Sequence, residues 1–139
     1  MKVLLTGANG YIGRRLLAAL RQAGHEVVCC VRDKRRFEQE QPDDHVQVLE
    51  VDLLDTAKSQ PFPDDIDVAY FLIHSMKEGS SFEDTEKRTA QGFLQLLSST
   101  RCQQVIYLSG IVNEKDLSKH LSSRLAVEQI LRSGKVPAT

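Results

Sequence analysis

The chain has 139 residues, 41% of them hydrophobic and 27% charged, which suits one globular domain with a single core. Its formal net charge of −1 draws it to neither nucleic acid nor an anionic membrane surface. No apolar run approaches the roughly 20 residues that span a bilayer. Met1 leads straight into a strand-like run and not into a signal peptide, so the protein is read as cytoplasmic.

Short apolar runs alternate with amphipathic stretches. Lys2–Thr6 is the first predicted strand. From Tyr11 to Ala23, Ile12, Leu16, Leu17, Leu20 and Ala23 recur at helical spacing, and Gly24 supplies a stop. Glu26–Val31 reads as a second strand whose unbroken apolar run suits burial on both faces of a parallel sheet. Asp33–Glu40 is a short charged helix and Val46–Val51 a third strand. Pro61 and Pro63 break the next connection too thoroughly for a full crossover helix in its second half. Val68–Ile73 is a fourth strand, Phe82–Thr100 a long helix with Ser80 or Ser81 as its N-cap, and Gln104–Leu108 a fifth strand. Leu117–Ser133 forms the last helix, ending at Gly134. Val136 opens a sixth strand that is only begun at Thr139, so the chain is expected to be an N-terminal domain of a longer protein.

Strand and helix in alternation give right-handed βαβ units and a parallel sheet covered on both faces, read as an α/β, doubly wound parallel sheet (the order 3-2-1-4-5 with the start of a sixth strand). The three cysteines include no CxxC pair, and adjacent Cys29 and Cys30 point to opposite faces of a strand, so all three are read as buried apolar residues. No metal-ligand cluster, Ser-His-Asp motif or aromatic-plus-basic pattern stands out.

Gly7, Gly10 and Gly13 lie between the first strand and the first helix. A turn there needs a residue free to take positive φ, and a diphosphate must reach backbone N–H groups with no Cβ in the way. The helix N-terminus then offers unpaired N–H groups and partial positive charge. Asn9 suits pinning the loop through side-chain-to-backbone hydrogen bonds. These residues point to a dinucleotide site.

After the second strand comes Val31-Arg-Asp-Lys-Arg-Arg36, four cations and one carboxylate. Arg32 lies where the adenosine ribose should be and matches a 2′-phosphate bidentately, which makes NADP the preferred cofactor. Asp33, a carboxylate that could take the ribose hydroxyls, keeps NAD as the alternative. Lys34 and Arg36 read as the solvated start of a helix, with Lys34 or Arg35 as a second phosphate contact.

Thr6-Gly-Ala-Asn-Gly-Tyr-Ile-Gly13 resembles the fingerprint of extended and atypical short-chain dehydrogenases/reductases, a group that includes epimerase-like and NmrA-like proteins. The resemblance extends through Val51-Asp52-Leu53, Tyr70-Phe-Leu-Ile-His-Ser-Met76 and Tyr107-Leu-Ser-Gly110. The last two are similar to a subgroup of nucleoside-diphosphate-sugar epimerase-like, NAD(P)-binding proteins in which a second domain follows. The resemblance implies a Rossmann fold and a cofactor held at Gly7, Asn9, Gly10, Tyr11, Ile12 and Gly13. It implies that Arg32 is an NADP-binding arginine, that Asp52 accepts a hydrogen bond from the adenine amino group, and that the backbone of Leu53 lies beside it. It also implies that Leu72, Ile73 and His74 line the cofactor and that Ser109 faces the nicotinamide. A two-fold homodimer is common among such relatives. Read from the residues alone, Asp52 could equally cap the following turn, and His74 could be a strand-end histidine bonded to a loop.

Hydride-transferring members of this group resemble one another in a Tyr-x-x-x-Lys pair, in which lysine lowers the tyrosine pKa. Here Tyr11 is followed four residues on by Arg15, Tyr70 by His74 and Tyr107 by Ile111. Where the pair should begin the last helix stand His120 and Arg124, on one helical face, and an arginine cannot copy the lysine. Two functions remain. One is an atypical reductase or sugar-nucleotide epimerase-like enzyme, with a small-molecule substrate and with His120, Ser109 or a residue past Thr139 handling the proton. The other is a non-catalytic, NADP-sensing scaffold of NmrA-like type.

Overall fold

The computed structural model describes residues 1–74, 81–109 and 119–139, with the side chains at 119 and 120 left aside. Among these residues the strands are β1 Lys2–Thr6, β2 Glu26–Val31, β3 Gln47–Glu50, β4 Val68–Phe71 and β5 Gln104–Tyr107. The helices are α1 Tyr11–Gln22, α2 Lys34–Glu40, α3 Phe82–Leu97 and α4 Lys119–Arg132. All strand pairs are parallel, in the order β3-β2-β1-β4-β5. This is the doubly wound Rossmann arrangement, with its reversal of order between β1 and β4. The predicted sixth strand begins at the β5 edge: the Val105 N–H donates to the Pro137 carbonyl at 2.8 Å, and the Thr139 N–H returns to the Val105 carbonyl at 2.9 Å.

Side-chain alternation along the strands divides the core in two. Val3, Leu5, Val27, Cys29 and Val31 face α1 and α2, whereas Leu4, Val28, Cys30, Ala69 and Val105 face α3 and α4. The second face is anchored by Phe93, 4.9 Å from Phe71 and 6.1 Å from Phe62, centroid to centroid. The three cysteines are buried and free.

Several boundaries fall short of the sequence prediction, each for a local reason. The α3 helix ends at Leu97 and not at Thr100, because the hydroxyls of Ser98, Ser99 and Thr100 fold back onto the carbonyls of Gln95, Leu96 and Leu97. At its other end the Ser81 carbonyl, and not its hydroxyl, closes the first turn by accepting the Thr85 N–H; Ser80 lies outside the described residues. Between β3 and β4 only a 3-10 turn forms, Thr56–Lys58, as the two prolines require. No helix among the described residues is long and apolar enough to cross a membrane.

Candidate functional site

At the C-terminal edge of the sheet, Gly7 takes φ +71°, and a Cβ there would meet the Leu72 carbonyl oxygen at 2.8 Å. Thr6, fully buried, makes that approach possible: its hydroxyl donates to the Tyr70 carbonyl at 3.1 Å and accepts the Leu72 N–H at 3.2 Å. The end of β4 is thereby drawn against the loop. Gly13 is needed one turn later, since a Cβ there would lie 2.1 Å from the Gly7 carbonyl oxygen. Gly10 is the N-cap of α1, and neither its own side nor a neighbouring side chain closes the helix end. Among the described residues the N–H groups of Tyr11, Ile12 and Gly13 have no acceptor, which leaves three donors and the positive pole of α1 facing the crevice.

Tyr11 and Ile12 stand out at this rim, 72% and 48% exposed, with the Arg15 guanidinium 3.7 Å above the Tyr11 ring. Asn9 departs from expectation. Its side chain makes no hydrogen bond among the described residues; its carbonyl instead accepts Arg14 Nε at 3.0 Å, and the Gly10 N–H to Gly7 carbonyl bond closes the turn. Arg14 also reaches Glu40 at 2.9 Å, and Glu40 pairs with Arg36 at the same distance, so α1 and α2 are tied together. The Arg36 contact holds the Glu40 carboxyl below its usual range.

Beyond β2, Asp33 spends one carboxylate oxygen as the N-cap of α2, accepting the Arg36 N–H at 2.9 Å. Glu50 takes the Lys34 N–H at 3.0 Å from the end of β3. Lys34 pairs with Glu38 and Arg36 with Glu40. Arg32 and Arg35, both exposed, make no ion pair or hydrogen bond among the described residues. The helix-start reading therefore holds for Lys34 and Arg36.

Asp52 uses one oxygen locally, accepting the Leu54 N–H at 2.9 Å, while its backbone exchanges hydrogen bonds with Ser59. Leu53 is buried, and its carbonyl lies so close to α3 that a Cβ on Gly92 would sit 1.9 Å from it. The sequence reading passed over Gly92; its signal was a glycine in the middle of an otherwise strong helix.

Leu72, Ile73 and His74 follow β4 and are half-buried. The His74 ring lies 5.9 Å from that of Tyr107, and burial with the nearby Arg124 guanidinium holds its imidazole below the ordinary histidine range, against the Glu86 carboxylate and a hydrogen bond to the Leu108 backbone. Ser109, at the end of β5, is half-buried on the same edge. His120 belongs to the first turn of α4, with its side chain outside the described residues. Burial and Glu86 push the Tyr107 phenol up to about 12, and its hydroxyl donates to the Arg124 carbonyl at 3.4 Å, which removes it as a proton donor near neutrality. The described residues contain no cluster of three or more side chains able to hold a metal ion.

Residues 3–113 match the sequence profile described as the NAD dependent epimerase/dehydratase family. No curated protein sequence matches the chain. Among solved structures, a protein from Lactobacillus casei is 25% identical, with a TM-score of 0.61 over 79% of this chain and 49% of its own. The Bordetella bronchiseptica enzyme WbmG in complex with NAD is 16% identical, with a TM-score of 0.75 over 99% of this chain and 51% of its own. The UDP-glucose 4-epimerase of Thermotoga maritima with UDP-glucose is 13% identical, with a TM-score of 0.72 over 99% of this chain and 53% of its own. The chain thus spans about half the length of these proteins.

Proposed function

The chain belongs to the NAD-dependent epimerase/dehydratase family, and on that premise we propose that it is the NADP(H)-binding domain of an atypical reductase or sugar-nucleotide epimerase-like protein. The observation that carries this reading is the open end of α1: three amides without acceptors, bared by Gly7 and Gly13, at the point where the strand order reverses. The two halves of the sheet then divide the ligand. Adenosine lies over β1, β2 and β3, beside Arg32, Asp52 and Leu53. The nicotinamide mononucleotide lies over β4 and β5, beside Leu72, Ile73, His74 and Ser109. The cofactor supplies hydride chemistry; the residues of this chain bind and orient it.

The charge arrangement after β2 supports NADP over NAD. Asp33 is occupied as a helix cap, which weakens it as a ribose acceptor, and Arg32 and Arg35 remain uncommitted beside it. The WbmG complex with NAD and the Thermotoga complex with UDP-glucose support a dinucleotide with a sugar nucleotide as second ligand. Calorimetric titration with NADP+ and NAD+ tests the cofactor assignment. NADP+ should bind at least about tenfold tighter, and Arg32→Ala should abolish that preference with NAD+ affinity unchanged. Equal binding of the two, unaltered by the substitution, contradicts it.

The absent Tyr-x-x-x-Lys pair favours a second reading, a nucleotide-sensing scaffold without turnover. NADPH absorbance and the configuration of the UDP-sugar, both followed in the presence of the full-length protein, separate the two: net oxidation supports a reductase, conversion of the sugar without net oxidation supports an epimerase, and binding with neither supports the sensor.

A further inference from the structure

The contact between α3 and α4 buries a polar pair that packing alone does not require. Glu86 is 8% exposed and Ser123 1% exposed, and the Ser123 hydroxyl donates to Glu86 Oε2. Glu86 falls on the stripe of α3 that otherwise buries Phe82, Ala90, Phe93 and Leu97, where a leucine would fill the space without desolvating a carboxylate. One residue further along α4, the Arg124 carbonyl accepts the Tyr107 hydroxyl. The same turn of α4 is therefore tied at consecutive residues, from α3 on one side and from β5 on the other.

That turn carries the Arg124 guanidinium, whose charge reaches both His74 and Tyr107. His74 is itself held by the Leu108 backbone. All of these groups gather at the C-terminal ends of β4 and β5, over the half of the sheet that takes the nicotinamide mononucleotide in a doubly wound fold. A guanidinium is a donor only, suited to ribose hydroxyls, while an imidazole that gives one ring nitrogen to the backbone keeps its other ring nitrogen for a second partner.

We propose that Glu86 and Ser123 are positioning residues for the nicotinamide end of the bound dinucleotide: their buried hydrogen bond fixes the turn of α4 that sets Arg124 beside His74, so that guanidinium and imidazole address the nicotinamide ribose together. This rests on the dinucleotide-binding reading above. Glu86 acts in two separable ways. Its oxygen receives the Ser123 hydroxyl, which places the turn, and its charge opposes that of Arg124 at His74.

The test uses the whole chain and a pair of ligands, NADP+ and 2′-phospho-ADP, the second keeping the adenosine half and the pyrophosphate but lacking the nicotinamide ribose. Glu86→Ala and Ser123→Ala should each weaken NADP+ by about tenfold and leave 2′-phospho-ADP within about twofold of the unaltered chain. Glu86→Gln, which keeps an acceptor for Ser123, should restore NADP+ affinity. In that same variant the His74 ring-proton NMR titration should move to lower pH, because the charge is gone while the tether remains. The inference is overturned if both alanine variants bind NADP+ as the unaltered chain does, or lose both ligands equally. An unaltered chain that binds neither ligand overturns the dinucleotide reading, and this inference with it.

Discussion

Replacing Gly13 by alanine would place a methyl carbon 2.1 Å from the Gly7 carbonyl oxygen and 2.9 Å from the Ala8 Cα. Both are backbone atoms of the loop itself, so no side chain can swing aside. The contact falls more than about 1 Å short of an ordinary nonbonded distance, and either the loop or α1 must move by about that much. Overpacking of this kind costs roughly 1–3 kcal/mol of stability. The displacement also carries the Tyr11, Ile12 and Gly13 amides out of register with a phosphate. Losing two charge-assisted hydrogen bonds at roughly 1.5–3 kcal/mol each weakens binding by about two orders of magnitude or more. Gly24 supplies the control. It sits at the far end of α1 with φ +82° and nothing within 4 Å of a Cβ, so alanine there brings backbone strain and no clash. Gly24→Ala should lose about 1–2 kcal/mol in urea unfolding and leave NADP+ affinity unchanged in calorimetry. The reasoning is refuted if Gly13→Ala binds NADP+ like the unaltered chain, or if Gly24→Ala loses as much affinity as Gly13→Ala.

Other expected outcomes concern the frame that holds this loop. Thr6→Val keeps the shape and removes both hydroxyl bonds, leaving the Leu72 N–H and the Tyr70 carbonyl short of a partner at a fully buried position. Unfolding free energy should fall by about 1–3 kcal/mol, and an unchanged urea midpoint would show that the tether carries no weight. Burial raises the Cys29 and Cys30 thiols from 9.0 to about 12, so these groups ionise more readily in the unfolded chain. Their contribution is fully present below pH 9 and is lost as pH climbs toward 12, at up to about 1.4 kcal/mol per pH unit for each thiol. A Cys29→Ala/Cys30→Ala chain should therefore show a shallower alkaline loss of stability, and an equal slope would contradict the assignment. Both thiols should also resist a thiol-specific reagent at neutral pH until the protein unfolds.

The frame was legible because burial on two faces leaves a plain trace. Val27 to Val31 form an unbroken apolar run that belongs in the middle of a parallel sheet, and β2 lies there, paired on both sides. Right-handed crossovers fix the hand of each βαβ unit, while the reversal between β1 and β4 has to be taken from the doubly wound pattern as a whole. The glycine loop was legible because positive φ and close backbone approach exclude other residues at Gly7 and Gly13. What escaped the sequence was how polar groups choose among partners. Nothing in the string says that the Asp33 carboxylate caps α2, or that the loop is closed by Gly10 and not by the Asn9 side chain; at Asp52 the residues did offer a cap for the following turn, and its carboxylate accepts the Leu54 N–H. Glu86 was hidden among the charges Glu83, Asp84, Lys87 and Arg88, the last three exposed, although its spacing from Phe82, Ala90 and Phe93 sets it on the buried stripe. Gly92 was hidden because its partner, the Leu53 carbonyl, is distant in sequence.

Backbone amide NMR of the chain titrated with NADP+ addresses the dinucleotide site at its source. The Tyr11, Ile12 and Gly13 amide resonances should shift together as they acquire a phosphate acceptor, with Arg32 responding to NADP+ and not to NAD+. Amides at the start of α1 that stay in place at millimolar NADP+ and NAD+ alike would contradict the account.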